Sequence, residues 1–424
     1  MAREMKNSGV KWIGEIPRGW KLVKVKYVSN IASGTTPASN IEDYWDGEIR
    51  WITPADFKTS EKWIKTGRRN ITEKGRQASH LTIFPTSSVI FSKRAPIGQV
   101  GITTEKLCIN QGCLGCITNE IISPTILYYL LSVFTEQFEL LGSGTTFKEI
   151  SATKFASFSI PLPPFSEQKT IADFLDKKCA EIDGLLADLE AEVKTLAEYK
   201  KSIIAETVTR GLNPNAPMKQ SGIPWAETIP AHWDIHPIYY YFTQRIHKNI
   251  FGIEQNLLSL SYGNIIRKDI NTTGGLLPAS YNTYNIVEAN DIVIRPTDLQ
   301  NDKRSLRTGF VKEHGIITSA YITLQPKDNI HSPYFHYLLH SYDIKKVFYN
   351  MGNGVRQGLN YSEFSRLMVF EPPIEEQKNI AEFLDEKCAA IDQSIADKQT
   401  QIETLKAYKS SLIYEYVTGK KQVI

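Results

Sequence analysis

Two stretches of the chain carry a regular apolar stripe. In residues 166–210, Leu175, Cys179, Ile182, Leu186, Leu189, Val193, Leu196, Lys200 and Ile203 step by alternating four and three. The same steps recur at Leu384, Cys388, Ile391, Ile395, Lys398, Ile402, Leu405, Lys409 and Leu412. That is the spacing of a heptad seam, and it predicts two long helices. Residues 166–210 hold no proline and one glycine, Gly184; Pro163 and Pro164 punctuate the start, Gly211 and Pro214 the end. Ser166 reads as the N-cap. A helix of about 45 residues spans ~65 Å at 1.5 Å per residue. Each seam needs an apolar partner, and the two are near-identical. They are expected to pair antiparallel with each other, through Leu175, Ile182, Leu189 and Leu196 on one helix and Leu384, Ile391, Ile402 and Leu405 on the other. A lysine at a seam position (Lys200, Lys409) either fixes register or extends to the edge. Elsewhere the pattern shortens to strand-like runs such as Ser88-Val-Ile-Phe91 and Asp291-Ile-Val-Ile294, so the remainder reads as mixed α and β.

The chain matches itself twice. Met5-Lys-Asn-Ser-Gly-Val-Lys-Trp12 returns as Met218-Lys-Gln-Ser-Gly-Ile-Pro-Trp225, and Ile16, Pro17 and Trp20 return as Ile229, Pro230 and Trp233, all at an offset of 213. From Pro163 to Thr209, 26 of 47 positions are identical at an offset of 209. Residues 21–141 and 234–351 diverge. Matched frames around different interiors suggest one fold holding two specificities.

Composition is that of an ordinary globular protein, with 42% hydrophobic and 22% charged residues over 424 positions. No run of 18 apolar residues occurs, and the opening Met1-Ala-Arg-Glu-Met-Lys-Asn lacks the apolar core of a signal peptide. Five cysteines, an odd and sparse count, fit a reducing cytoplasm. The net charge of +3 is unevenly spread. Residues 1–165 carry 20 basic and 14 acidic groups, and residues 211–374 carry 15 and 13. The helical segments 166–210 and 375–424 carry 7 against 10 and 7 against 9. Basic globular parts and acidic helices are the asymmetry expected if the globular parts meet phosphate.

The basic groups gather in loops. Arg68, Arg69, Lys74 and Arg76 lie in one stretch, and Lys93, Arg94 and Gln99 follow a strand-like run. In the second half, Arg295, Gln300, Lys303, Arg304 and Arg307 hold a similar place. Such side chains reach phosphates and also read base edges. A glycine turn closes each globular segment: Gly142-Ser143-Gly-Thr145-Thr146-Phe-Lys148, and Gly352-Asn353-Gly-Val-Arg356-Gln357-Gly358. Backbone amides beside glycine can hold a phosphate. A short polar helix and then a strand into Pro-Pro follow each turn.

No catalytic constellation emerges, so the catalytic set is none. Cys113-Leu-Gly-Cys116 has no second ligand pair for zinc, Cys108 adds one sulfur, and the apolar surroundings read as core. His336 and His340 have helical i,i+4 spacing but lack a neighbouring Glu, and read as surface or stacking residues, with no metal site expected. No phosphate-binding P-loop or dinucleotide fingerprint occurs.

The twice-occurring Pro-Pro-x-x-Glu-Gln junction before a heptad helix resembles that of the specificity subunits of type I restriction-modification systems. In this chain it is Pro163-Pro-Phe-Ser-Glu-Gln168 and Pro372-Pro-Ile-Glu-Glu-Gln377. Trp12, Ile16-Pro17, Trp20 and Gly142-Ser-Gly-Thr-Thr add to the resemblance, which covers essentially the whole length. The second half departs in having Phe370-Glu-Pro-Pro for Ile160-Pro-Leu-Pro-Pro, and its glycine turn lacks Thr-Thr. The resemblance implies an α+β protein with an internal pseudo-twofold repeat. Two target-recognition domains, residues 1–162 and 212–371, are separated by two long antiparallel helices, 163–211 and 372–424, forming a coiled coil. It further implies that each domain reads one half of a bipartite, gapped double-stranded DNA site, that the helices set the gap, and that the chain itself does no chemistry. The implied partners are two modification (methyltransferase) subunits and restriction (translocase-nuclease) subunits, which hold S-adenosylmethionine, ATP and Mg; this chain holds no cofactor and meets no membrane. The alternative is the recognition subunit of a type II-like methyltransferase-nuclease system.

Overall fold

The computed structural model describes residues 3–57, 61–144, 148–271, 280–299, 306–351 and 358–423. The chain divides into two compact units: Met1–Glu190 with Thr400–Ile424, and Ala191–Gln399. Both mix helix and strand.

In the first unit, strands follow the buried apolar runs. Ser29–Ser33, Cys113–Thr118, Val89–Ser92, Val100–Thr103 and Trp63–Ile64 lie side by side in that order. All pair antiparallel except the last, which is parallel to Val100–Thr103. Val89–Ser92 is buried at every position, which explains its unbroken Val-Ile-Phe. A second sheet orders Leu107–Ile109, Trp45–Ile52 and Arg69–Ile71. In the second unit, Phe242–Gln244, Ile322–Pro326, Ile292–Ile294 and Thr308–Phe310 lie in one antiparallel sheet. Their order matches the first four strands of the first unit place for place, although the sequences between the matched frames diverge.

The long helices are Phe165–Arg210 and Ile374–Val417. Ser166 lies inside the first turn rather than capping it, because the helix begins one residue earlier; Pro164 O instead accepts the amides of Glu167 and Gln168. The apolar stripe is the covered face. Leu175, Ile182, Leu384, Ile391 and Ile402 are buried, and Leu189, Leu196 and Leu405 are half-buried. Within the first unit, Lys409 Nζ meets the Asp183 carboxylate at 2.6 and 2.7 Å, and Lys406 meets Glu190 at 3.3 Å. Within the second, Lys200 Nζ meets Asp392 at 2.7 and 2.6 Å, and Lys398 meets Glu192. In each unit one helix's numbers fall as the other's rise, so the segments run antiparallel there. The seam lysines therefore pair across to the facing helix. Partly exposed pairs of this kind stabilise by about 0–1 kcal/mol and act mainly on register.

The Glu-Gln junction has a structural job. Gln168 is 1% exposed; its Oε1 accepts Ser123 N at 2.8 Å, and its Nε2 donates to Ile121 O at 2.8 Å and Pro163 O at 3.2 Å. Gln377, also 1% exposed, accepts His331 N at 2.9 Å and donates to Pro372 O at 2.8 Å. The preceding glutamates accept the indoles of the two buried repeat tryptophans, Trp20 to Glu167 at 3.3 Å and Trp233 to Glu376 at 3.1 Å. The five cysteines are free, and burial pushes the thiols of Cys108 and Cys116 up to about 11 and about 12. Among the described residues no helix is long and apolar enough to cross a membrane.

Gln168→Ala strands a buried donor and acceptors, and is expected to cost about 1–3 kcal/mol. Gln377→Ala should cost the same within error, by chemical denaturation. A loss in one unit only would mean that the matched residues do different work.

Candidate nucleic-acid interface

Strand direction gathers several loops of the first unit at one rim. Trp45–Ile52 and Leu107–Ile109 are parallel, so both end on the same side. Asn110–Gly112 leads from there into Cys113, whose strand starts opposite Ser92. Ser33 faces Leu114 across the same sheet, so the strand Ser29–Ser33 also ends there. Arg69–Ile71 runs antiparallel to Trp45–Ile52, which brings Arg68 to the rim. The amide of Arg68 donates to Asp56 at 3.0 Å and its guanidinium to Ala55 O at 3.2 Å.

The Lys93–Arg94 loop and the glycine turn come together here. Ser143 and Glu149 exchange both backbone hydrogen bonds, at 2.9 and 3.0 Å, and Ile150 N donates to Lys93 O at 3.0 Å. Lys93 Nζ and Arg94 Nε each reach a Glu149 carboxylate oxygen at 2.8 Å. Lys154 Nζ donates to Ser143 Oγ at 2.9 Å. Burial raises the Glu149 pKa, but the hydrogen bonds from Lys93 and Arg94 outweigh it and hold the carboxyl below its usual value. Lys148 is exposed and Gln99 half-buried.

Other expected contacts sit elsewhere. Arg69 turns away along its strand and lies 4.1 Å over the Trp45 ring. Lys74 and Arg76 lie beyond the far end of that strand, paired with Asp43 at 2.7 Å and with Glu73. Arg76 and Gln77 hold the Glu73 carboxyl down to about 2.

The second unit repeats the join. Strands Phe242–Gln244 and Ile292–Ile294 run toward one end, where Arg295 begins its loop. Leu359, just past the second glycine turn, donates its amide to Pro296 O at 2.9 Å. This is the counterpart of Ile150 to Lys93. Arg307, expected at the surface as a DNA contact, is instead 0% exposed. Its guanidinium donates to Asp298 O at 2.9 Å, to Thr297 O, and to Tyr349 Oη at 2.9 Å, while its amide donates to the buried Asp343. Arg307 thus braces the loop from beneath. Nothing local distinguishes it from a surface arginine, because the tyrosine that its guanidinium meets is 42 residues away. Thr145, Thr146, Gln300, Lys303, Arg304, Asn353, Arg356 and Gln357 lie outside the described residues.

His336 and His340 are partly buried rather than surface residues. Burial pushes their pKa values down to about 3 and about 4, and His336 packs 5.6 Å from Phe310. Among the described residues, the one grouping of metal-ligating type is Asp234, His236 and Glu371, which the sequence reading did not single out. Strand pairing of Asp234 with Glu371 brings them together, and Glu371 accepts the Tyr241 hydroxyl at 2.7 Å.

Known proteins share this organisation. The model of the type I restriction modification DNA specificity domain matches residues 17–195 and 253–404. The MjaIX type I restriction enzyme specificity subunit of Methanocaldococcus jannaschii is 39% identical over 166 residues, 38% of this chain and 38% of that protein. The putative MjaX specificity subunit of the same organism is 32% identical over 196 residues, 45% of this chain and 43% of that protein. These two matches therefore span about two fifths of each relative. The MjaVIII subunit is 22% identical over 434 residues, covering 96% of this chain and 94% of that protein. A chain solved in work on complex assembly and conformational transition of the type I R-M system superposes with a TM-score of 0.71 at 15% identity, covering 95% of this chain and 98% of that one. The HsdS subunit from Thermoanaerobacter tengcongensis gives 0.51 at 15%, covering 96% and 98%. At these identities the likeness is one of fold.

Glu149→Gln is expected to release Lys93 and Arg94. Binding of the full complex to duplex DNA should tighten, and the slope of log affinity against log salt should steepen by about 1–2. The pairing depresses the folded pKa, so its contribution is present above the unfolded value and lost as pH falls through the folded one. The variant's advantage should therefore vanish on acidification below the ordinary carboxylate range. Anisotropy titrations across salt and pH check both; an unchanged slope would show that the two cations do not meet phosphate.

Proposed function

The chain belongs to the type I restriction-modification DNA specificity family, and on that premise we propose that it is the sequence-reading subunit of a type I restriction-modification complex. Residues 1–162 and 212–371 are its two target-recognition domains, and 163–211 and 372–424 its spacers. Each domain reads one half of a bipartite duplex site. The spacers pair as an antiparallel coiled coil, relate the halves by a pseudo-twofold repeat, set the unread gap and dock two modification subunits. Those subunits supply S-adenosylmethionine and the adenine chemistry; restriction subunits supply ATP- and Mg-dependent translocation and cleavage. This chain targets and does not catalyse. A cytoplasmic location follows from its DNA partner.

The observation that carries this reading is the paired join of glycine turn to strand-end loop: Ile150 to Lys93 in one unit, Leu359 to Pro296 in the other. Two equivalent rims with different side chains suit a two-part, asymmetric site. Phosphates position such a rim and base edges specify it. Arg68, Lys93, Arg94, Ser143, Lys148 and Arg295, with the glycine turns, are the proposed contacts. The relatives named above are type I subunits, which disfavours the type II-like alternative.

Co-expression with the modification subunits in a methylation-free host, followed by single-molecule sequencing, tests this. The expected product is one gapped motif with a modified adenine in each half, on opposite strands. A continuous motif would contradict a two-headed reader.

A further inference from the structure

In the second unit a hairpin pairs Leu258–Ser261 with Asn264–Arg267, joined by Tyr262 and Gly263. Both turn residues have positive φ, +46° for Tyr262 and +82° for Gly263. A two-residue turn of this hand favours Asn or Asp at its first position, because an aromatic residue there is strained. The one hydrogen bond the turn makes through Tyr262 among the described residues is a long one to its carbonyl, from Asn264 Nδ2 at 3.5 Å. The Tyr262 side chain is 81% exposed, and among the described residues it makes no hydrogen bond or ring contact. Strain kept at an exposed position points to function.

The hairpin's placement says which function. Leu258 and Leu260 are buried, and Leu260 and Ile265 close over Gly309, where a Cβ would come within 2.6 and 2.8 Å of them. The turn lies against the rim: a Cβ on Gly263 would stand 3.1 Å from Leu306, which ends the Arg295 loop. Arg295 N donates to Arg307 O at 2.8 Å, closing the base of that loop. The hairpin is thus a firmly seated β-ribbon with an exposed phenol at its tip, beside the base of the Arg295 loop. A two-stranded ribbon fits the major groove of duplex DNA. The tip itself is uncharged, and Arg267 farther down is neutralised by Glu313 at 2.7 Å. The tip therefore suits base edges rather than phosphates.

We propose that Tyr262 enters a groove of the duplex and reads a base pair of the half-site bound by the second unit. This rests on the DNA-reading function above. Tyr262→Asn separates the roles, because Asn-Gly is the preferred pair for the turn. The experiment uses the complete complex with its modification subunits and a duplex carrying the mapped site. Thermal stability of the variant should equal or exceed wild type. Affinity should fall about tenfold, with the salt slope unchanged. Methylation should relax at one position of one half-site, leaving the other half intact. Wild-type affinity and motif in the variant would overturn the proposal, as would a loss spread over both halves. A wild-type complex that ignores the duplex would instead overturn the DNA-reading function.

Discussion

One buried side chain in each unit ties the start of a long helix to the globular body of that unit. Gln168 joins two stretches far apart in sequence: the Pro163 entry into its own helix, and the segment before a core helix at Ile121 and Ser123. Gln377 does the same at Pro372 and His331. A primary amide suits this task because it donates and accepts at once, and burial makes each unmade bond costly. Glu167 and Glu376 lock the adjoining tryptophans to the same turn. Everything beyond the clamp can then vary. The sheet order is the same in both units while the residues along the strands differ, since a sheet needs only apolar, half-buried positions.

The rim is electrostatically quiet before it binds. In the first unit Lys93 and Arg94 share Glu149. Binding to phosphate would then be an exchange of partners rather than the rescue of lone charges.

The helices and their buried stripe were legible in sequence because they obey a local period; the Glu-Gln junction stood out by its recurrence at a fixed offset, but its role as a clamp shows only in the fold. Leu175 and Leu384, placed at the seam from spacing alone, are 0% exposed. The rim was legible only in outline. Arg307 and Arg295 share one basic loop, and only tertiary context shows that Arg307 is a buried brace. Lys74 and Arg76 fell to neighbouring acids at the far end of a strand, a matter of strand direction that composition does not carry. Tyr262 carries no charge signal in the sequence, since its neighbours from Ser259 to Ile266 are uncharged.

If each unit is a self-sufficient reader, its specificity lies between its matched frames. Replacing residues 21–141 with the equivalent segment of a relative of different specificity, and mapping methylation in the reassembled complex, tests this most directly. The prediction is a motif changed in one half only, with the other half and the gap retained. A motif altered in both halves would contradict it.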